Sequence, residues 1–169
     1  DPFRDVMLRK DLFAEVQTRM GVVCTIDLFA DRRGSTALAR IWRSPERTAF
    51  ECDLAGHVAW AHPPRALAKA CLQHFAAIRA ARPDIKILLL LPEDTGAPWF
   101  RPEYLQTWHR VRSWDAGSDI FRLPKSVRSS MKCTMMQYVL RLGLPRSENR
   151  NGAKRNAMIT RIIVTMSVF

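Results

Sequence analysis

Apolar residues follow two rhythms along this chain, and the changes between them mark its elements. Over residues 6–20, VMLRKDLFAEVQTRM, Val6, Leu12, Phe13, Val16 and Met20 fall on one stripe at spacings of three, four and seven, which predicts an amphipathic helix stopped by Gly21. VVCTIDLFA (22–30) is β-branched and apolar on both faces, which predicts a buried strand. The Arg-rich stretch 31–47 reads as a loop with at most one helical turn, 48–54 as a short strand, and HVAWAHPP (57–64) as a second short buried strand. From Ala66 to Ala81, Leu67, Cys71, Phe75 and Ile78 recur at helical spacing, and Pro83 closes that helix. IKILLLLP (85–92) is the clearest strand, a continuous apolar run expected to end at Pro92.

A loop over 93–100, a short helix over 101–109 with Pro102 near its first turn, and a strand over 110–114 follow, before 115–124 turns and exits. Alternation of helices with strands buried on both faces predicts a three-layer, Rossmann-like α/β sheet. Beyond it the pattern is less coherent. Residues 131–142 suit a helix ended by Gly143, 143–156 suit loop or disorder, and AMITRIIVTMSVF (157–169) suits a strand or a short helix. The expected organisation is an α/β domain over 1–122 and a basic extension over 123–169.

Charge sharpens that division. The net charge is +11 over 169 residues, but residues 123–169 hold nine Lys/Arg against one acid, Glu148, and so carry +8 of it. A segment almost free of acids suits a polyanion, because each phosphate contact releases counterions. Lys125, Arg128, Lys132, Arg150, Lys154 and Arg155 are the candidate contacts there, and Arg32, Arg33, Arg40 and Arg43 form a second cluster in the 31–47 loop. No apolar run is long enough to span a bilayer, and the charged start lacks the apolar core of a secretory signal. The absence of an initiating Met suggests a fragment or processed product, in an intracellular compartment that could be the nucleus or an organelle.

Cys24, Cys52, Cys71 and Cys133 form no C-x-x-C pair, so buried free thiols are expected rather than a metal or redox motif. The spacing of His57 and His62 invites a metal reading, but no further ligands stand in register, and no metal is assigned. Trp60, Trp99, Phe100 and Trp108 could stack bases, yet aromatics around a small sheet are expected mainly in the core.

In an open α/β sheet, ligands bind outside the carboxyl ends of the strands. Asp27–Gly34, His62–Arg65 and Pro92–Trp99 would share that rim if their strands run parallel. The blocks TIDLFADRRGSTALA, HVAWAHPPRALAKACLQHF, ILLLLPEDTGAPWF and WHRVRSWDAGSDIF, in this order, resemble the adenine-methyltransferase-like domain that follows reverse transcriptase and RNase H in DIRS- and Ngaro-type tyrosine-recombinase retroelements. More distantly they resemble phage adenine-specific DNA methyltransferases. The resemblance covers roughly residues 4–122.

It implies a methyltransferase-type sheet reduced in size, with S-adenosylmethionine as cofactor held at Asp27, Leu28, Phe29 and Ala30. It also places His62, Pro63, Pro64 and Arg65 where active relatives carry Asp or Asn, two prolines and an aromatic. In those relatives the polar side chain accepts from the adenine amine and the aromatic stacks on the flipped base. Here both outer positions depart. Neutral His62 has less acceptor capacity than a carboxylate, and Arg65 brings charge near a cationic cofactor. Losing an oriented acceptor in such a site costs on the order of 3–4 kcal/mol, or ~100-fold in rate. The glycine-rich turn is also poor, since Ala30-Asp31-Arg32-Arg33 stands before Gly34.

The leading expectation is therefore a catalytically degenerate, nucleic-acid-binding domain without bound cofactor, inside a polyprotein or a larger ribonucleoprotein. An active adenine methyltransferase on DNA or RNA and a structural protein-interaction module stay open beside it.

Overall fold

A computed structural model of the chain describes residues 6–45, 49–115 and 118–122, together with the backbone of 159–167. Its centre is a six-stranded sheet in the order β3-β2-β4-β5-β8-β6. These strands are β2 (Ile26–Asp27), β3 (Ile41–Trp42), β4 (Val58–Ala61), β5 (Lys86–Asp94), β6 (Trp108–Asp115) and β8 (Ile159–Ser167). β3, β2, β4 and β5 run parallel to one another, and β8 runs antiparallel to both β5 and β6. A separate antiparallel ribbon joins β1 (Met7–Leu8) to β7 (Phe121–Arg122).

The strand with the plainest sequence signal explains the layering. Along β5, Ile87, Leu89 and Leu91 point to one face and Leu88 and Leu90 to the other, as a period of two requires, and all are buried. The first set packs with Cys71, Leu72 and Phe75 of α2 (Ala68–Ala81). The second packs with Phe13 and Val16 of α1 (Lys10–Met20), and Trp60 meets Phe13 edge-on at 5.0 Å between ring centroids. The result is a mixed α/β fold in three layers, compatible with a Rossmann-like sheet. Trp60 and Trp99 are buried and Phe100 and Trp108 pack against the core, as expected of aromatics beside a small sheet.

Helix stops are where local chemistry put them. Gly21 takes a left-handed φ of 62°, and the amides of Gly21 and Val22 close back on Thr18 and Gln17. Pro83 lies just beyond the end of α2, and Pro102 opens the one-turn helix α3 (Pro102–Leu105).

Several expectations need correction: of the strand expected over 22–30 only Ile26–Asp27 is in the sheet, and Trp108–His109, expected to end a helix, begin β6. Residues 6–8 are not helical: Met7–Leu8 pairs with Phe121–Arg122, and the Arg9 amide donates to the Ile120 carbonyl at 2.8 Å. Leu8 is fully buried there, so a pairing more than a hundred residues distant overrode the helical spacing. Residues 49–54 form turn and coil, with Ala49 and Leu54 filling the core without a ladder, while the loop before them contributes the short edge strand β3.

β5 continues through Pro92 to Asp94. Its neighbour β4 stops opposite Leu89, so Pro92 pairs with β8 only, where a residue lacking an N–H is tolerated. Finally, the sheet does not close at residue 122. Backbone 159–167 of the expected extension is a strand lying between β5 and β6. The expected helix at 131–142, the loop at 143–156, and Lys125, Arg128, Lys132, Arg150, Lys154 and Arg155 lie outside the described residues, as does Cys133.

Candidate functional site at the strand ends

Because β2, β3, β4 and β5 are parallel, their carboxyl ends do share one rim. The chain leaves β2 for β3 on one flank and returns to β4 on the other, which is the reversal at which open α/β sheets leave a ligand crevice.

Asp27 closes β2 with its side chain buried. Its Oδ1 accepts from the Phe29 amide at 3.1 Å and its Oδ2 from the Leu38 amide at 2.9 Å. Burial pushes the carboxyl up to about 6, against the downward pull of those two amides. Asp27 thus ties the far end of the following loop to the strand that launches it. Leu28, Phe29 and Ala30 are all buried, the Leu28 amide donates to the Trp60 carbonyl, and Phe29 meets Phe50 edge-on at 5.8 Å. Their side chains belong to the core.

The next turn has its own local logic. Asp31 and Gly34 are the first and fourth residues of a turn closed by Gly34 N–H to Asp31 C=O at 3.0 Å, positions where Asp and Gly are favoured. Asp31 also accepts from the Ser35 hydroxyl and from the Thr36 amide, and its own amide donates to the Thr36 hydroxyl at 2.8 Å. Gly34 lies flush on the edge strand: a Cβ there would stand 2.5 Å from Cε2 of Trp42, at a φ of 73°. Arg32 and Arg33 therefore occupy the tip of a braced turn.

Arg32, Arg33 and Arg40 are exposed, and none has a carboxylate partner among the described residues. Arg43 differs, being half-buried and donating to the Trp42 carbonyl at 2.9 Å. Most of the other described arginines are engaged, as Arg9 with Asp11, Arg19 with Glu15, Arg82 with Asp84 and Arg122 with Asp119.

At the end of β4, Pro63 and Pro64 are buried and form a rigid corner; the Pro64 carbonyl then accepts from Leu67 in a 3-10 turn (Arg65–Leu67) that leads into α2. Arg65 does not lie free over the rim. Its guanidinium bridges to Asp94 at the end of β5, whose side chain is 0% exposed. Asp94 also accepts from the Gly96 amide at 3.3 Å. His62 is half-buried and stacks on Phe121 of β7, with centroids 5.5 Å apart and planes 9° from parallel. Burial lowers its imidazole to about 4, so the ring is neutral near pH 7.

The rim thus gathers Asp27, Arg32, Arg33, His62 and Arg65 onto one edge of the sheet. Sequence reasoning missed Asp94 and Phe121. The D-x-G spacing of Asp94 and Gly96 was a usable turn signal, but nothing local announces that Arg65 is its partner. Phe121 gave no signal at all. Ser44, just after β3, is likewise buried at this rim, with its hydroxyl unpartnered among the described residues.

His57 and His62 are differently employed, since His57 Nδ1 stands 2.9 Å from the Thr25 hydroxyl. Among the described residues no cluster of His, Cys, Asp or Glu could hold a metal, and no helix is long and apolar enough to cross a membrane. Cys24 and Cys71 are free and buried, with the Cys24 thiol pushed up to about 12 by burial, whereas Cys52 is only partly covered. No protein-family model, curated protein or solved structure matches the chain.

The two shifted groups oppose each other in pH. Asp27 is raised in the fold, so its contribution to stability is full below about 4 and is lost as pH rises through about 6. His62 is depressed, so its contribution is full above about 6.5 and is lost as pH falls through about 4. Each amounts to about 3 kcal/mol across that window. His62→Phe, which keeps a ring on Phe121 but cannot titrate, is expected to gain stability between pH 7 and about 4.5, and Asp27→Asn to lose it. Urea midpoints at the two pH values check this; parallel behaviour of both variants would contradict it. Asp11, Asp84 and Asp119 are exposed and are lowered, in each case first by a hydrogen bond from an arginine partner.

Proposed function

We propose that this chain is a methyltransferase-like domain of retroelement origin that has lost methyl transfer and binds nucleic acid. The observation carrying the binding half is the braced turn that presents Arg32 and Arg33, with Arg40 further along the same loop, as exposed guanidiniums without a carboxylate partner among the described residues. Phosphate is the natural partner for unpaired arginines on a fixed platform, because their positions are set before contact is made.

Two features support the fold half. The sheet is parallel through β2, β3, β4 and β5, with β8 inserted antiparallel between β5 and β6, and is compatible with a Rossmann-like frame. The Pro-Pro corner stands at the end of β4, beside the crevice where a base and a cofactor would meet.

The loss of chemistry rests on what each rim residue now does. Asp27 is engaged by two backbone amides, and Leu28, Phe29 and Ala30 fill the core. The glycine-rich turn has become an arginine-tipped one. Arg65 is held by Asp94, and a neutral His62 stands where an Asp or Asn would orient the amine. These residues suit S-adenosylmethionine poorly, and no step is assigned to it. Residues 32, 33 and 40 would lie against the sugar-phosphate backbone, inside a polyprotein or a larger ribonucleoprotein. Calorimetric titration with S-adenosylmethionine is expected to give no binding heat at millimolar ligand. Saturable binding, with methyl transfer to an adenine-containing oligonucleotide that disappears in His62→Ala, would instead establish an active enzyme.

A further inference from the structure

The β1–β7 ribbon approaches the strand-end rim from outside the large sheet. It is only two residue pairs long, and it is anchored by Leu8 and Ile120, which are both buried. Phe121, half-buried, packs against the core cluster that holds those anchors and lays its ring on the face of His62. His62 stands just after β4, next to the point where the strand order reverses between β2 and β4, the place where open α/β sheets bind ligands. Neutral and without a hydrogen-bond partner among the described residues, the imidazole offers its face as its main means of contact. Near-parallel stacking at 5.5 Å is also how a flat ligand ring would sit on that face.

We propose that Phe121 is an intramolecular plug: it occupies the stacking place on His62 and keeps planar heteroaromatic rings of the nucleobase class out of the crevice. The plug accounts for a corner that keeps its two buried prolines while closed to a base. Arg65, drawn to Asp94, is at the same time held away from the role of a stacking partner. The inference rests on reading the Pro-Pro corner as a former base site. It does not depend on phosphate binding by the arginine turn, and the two can fail separately.

Adenosine, which carries no phosphate and so does not report on Arg32 or Arg33, is the probe. It is titrated into the wild-type chain, Phe121→Leu and the double variant Phe121→Leu/His62→Ala, with binding read by calorimetry. Phe121→Met, which also keeps apolar volume without a flat ring, is read in parallel in case the Leu variant fails to fold. The expected result is affinity at least about tenfold higher in the folded Phe121 variant than in wild type, returning to the wild-type level in the double variant. Equal affinity in wild type and a natively folded Phe121 variant would overturn the proposal. Gain of binding that survives His62→Ala would overturn the assignment of His62 as the stacking face.

Discussion

A chain ending at residue 158 is expected to lose cooperative folding. The missing strand, β8, has seven register pairs with β5 and seven with β6, so it is an interior strand and the only sheet contact that β6 makes among the described residues. At about 1 kcal/mol net for each ladder hydrogen bond, its loss removes on the order of 10 kcal/mol, as much as a domain's whole stability. It would also strip the hydrogen-bonded flank from Leu88–Leu91, all buried, leaving a long apolar strand as an open edge. Far-UV circular dichroism and thermal melting decide the point: a noncooperative, aggregating product is expected, and a sharp transition like that of the intact chain would contradict the topology. The practical consequence is that the positive charge of 123–169 has to be probed by charge substitution, since deletion would remove the sheet along with the charge.

The second large effect concerns binding. Replacing Arg32, Arg33 and Arg40 together by Ala is expected to weaken nucleic-acid binding while leaving the fold within about 0.5 kcal/mol, since the three side chains are exposed and make no described ion pair. Three phosphate contacts account for on the order of 10- to 100-fold of the affinity change between 50 and 200 mM salt. The triple variant should therefore lose about two to three from the slope of log affinity against log salt. Lys at the same three positions should preserve most of that slope, because counterion release depends on charge. Arg43→Ala should matter less for binding, as Arg43 is spent on the Trp42 carbonyl. Unchanged affinity in the triple variant would remove the arginine turn from the interface.

What could be read in advance divides along physical lines. Features fixed by neighbours in sequence were legible: the stop at Gly21, the strand buried on both faces at 87–91, and the Pro-Pro corner. Features fixed by distant pairing were not. Residues 6–8 carry apolar spacing that suits a helix, and only β7 makes them a strand. AMITRIIVTMSVF suits a strand or a short helix from its own pattern, but nothing in it says that its backbone enters the sheet second from the edge, between β5 and β6. At the rim, the identities of His62 and Arg65 were enough to cast doubt on methyl transfer. What holds them, Asp94 from 29 residues away and Phe121 from a separate ribbon, could be learned only from the fold. The arginines of 31–43 were visible as a cluster, but the bracing of their turn by Asp31, Thr36 and the Trp42 face was not.

The proposed nucleic-acid-binding role is tested most directly by the salt dependence of binding. An adenine-containing single-stranded oligonucleotide is titrated into the intact chain over a range of salt concentrations. Affinity is expected to fall linearly on a log–log plot, with a slope that becomes shallower by about 0.7 for each of Arg32, Arg33 and Arg40 removed. Absent binding, or binding indifferent to salt, would contradict it.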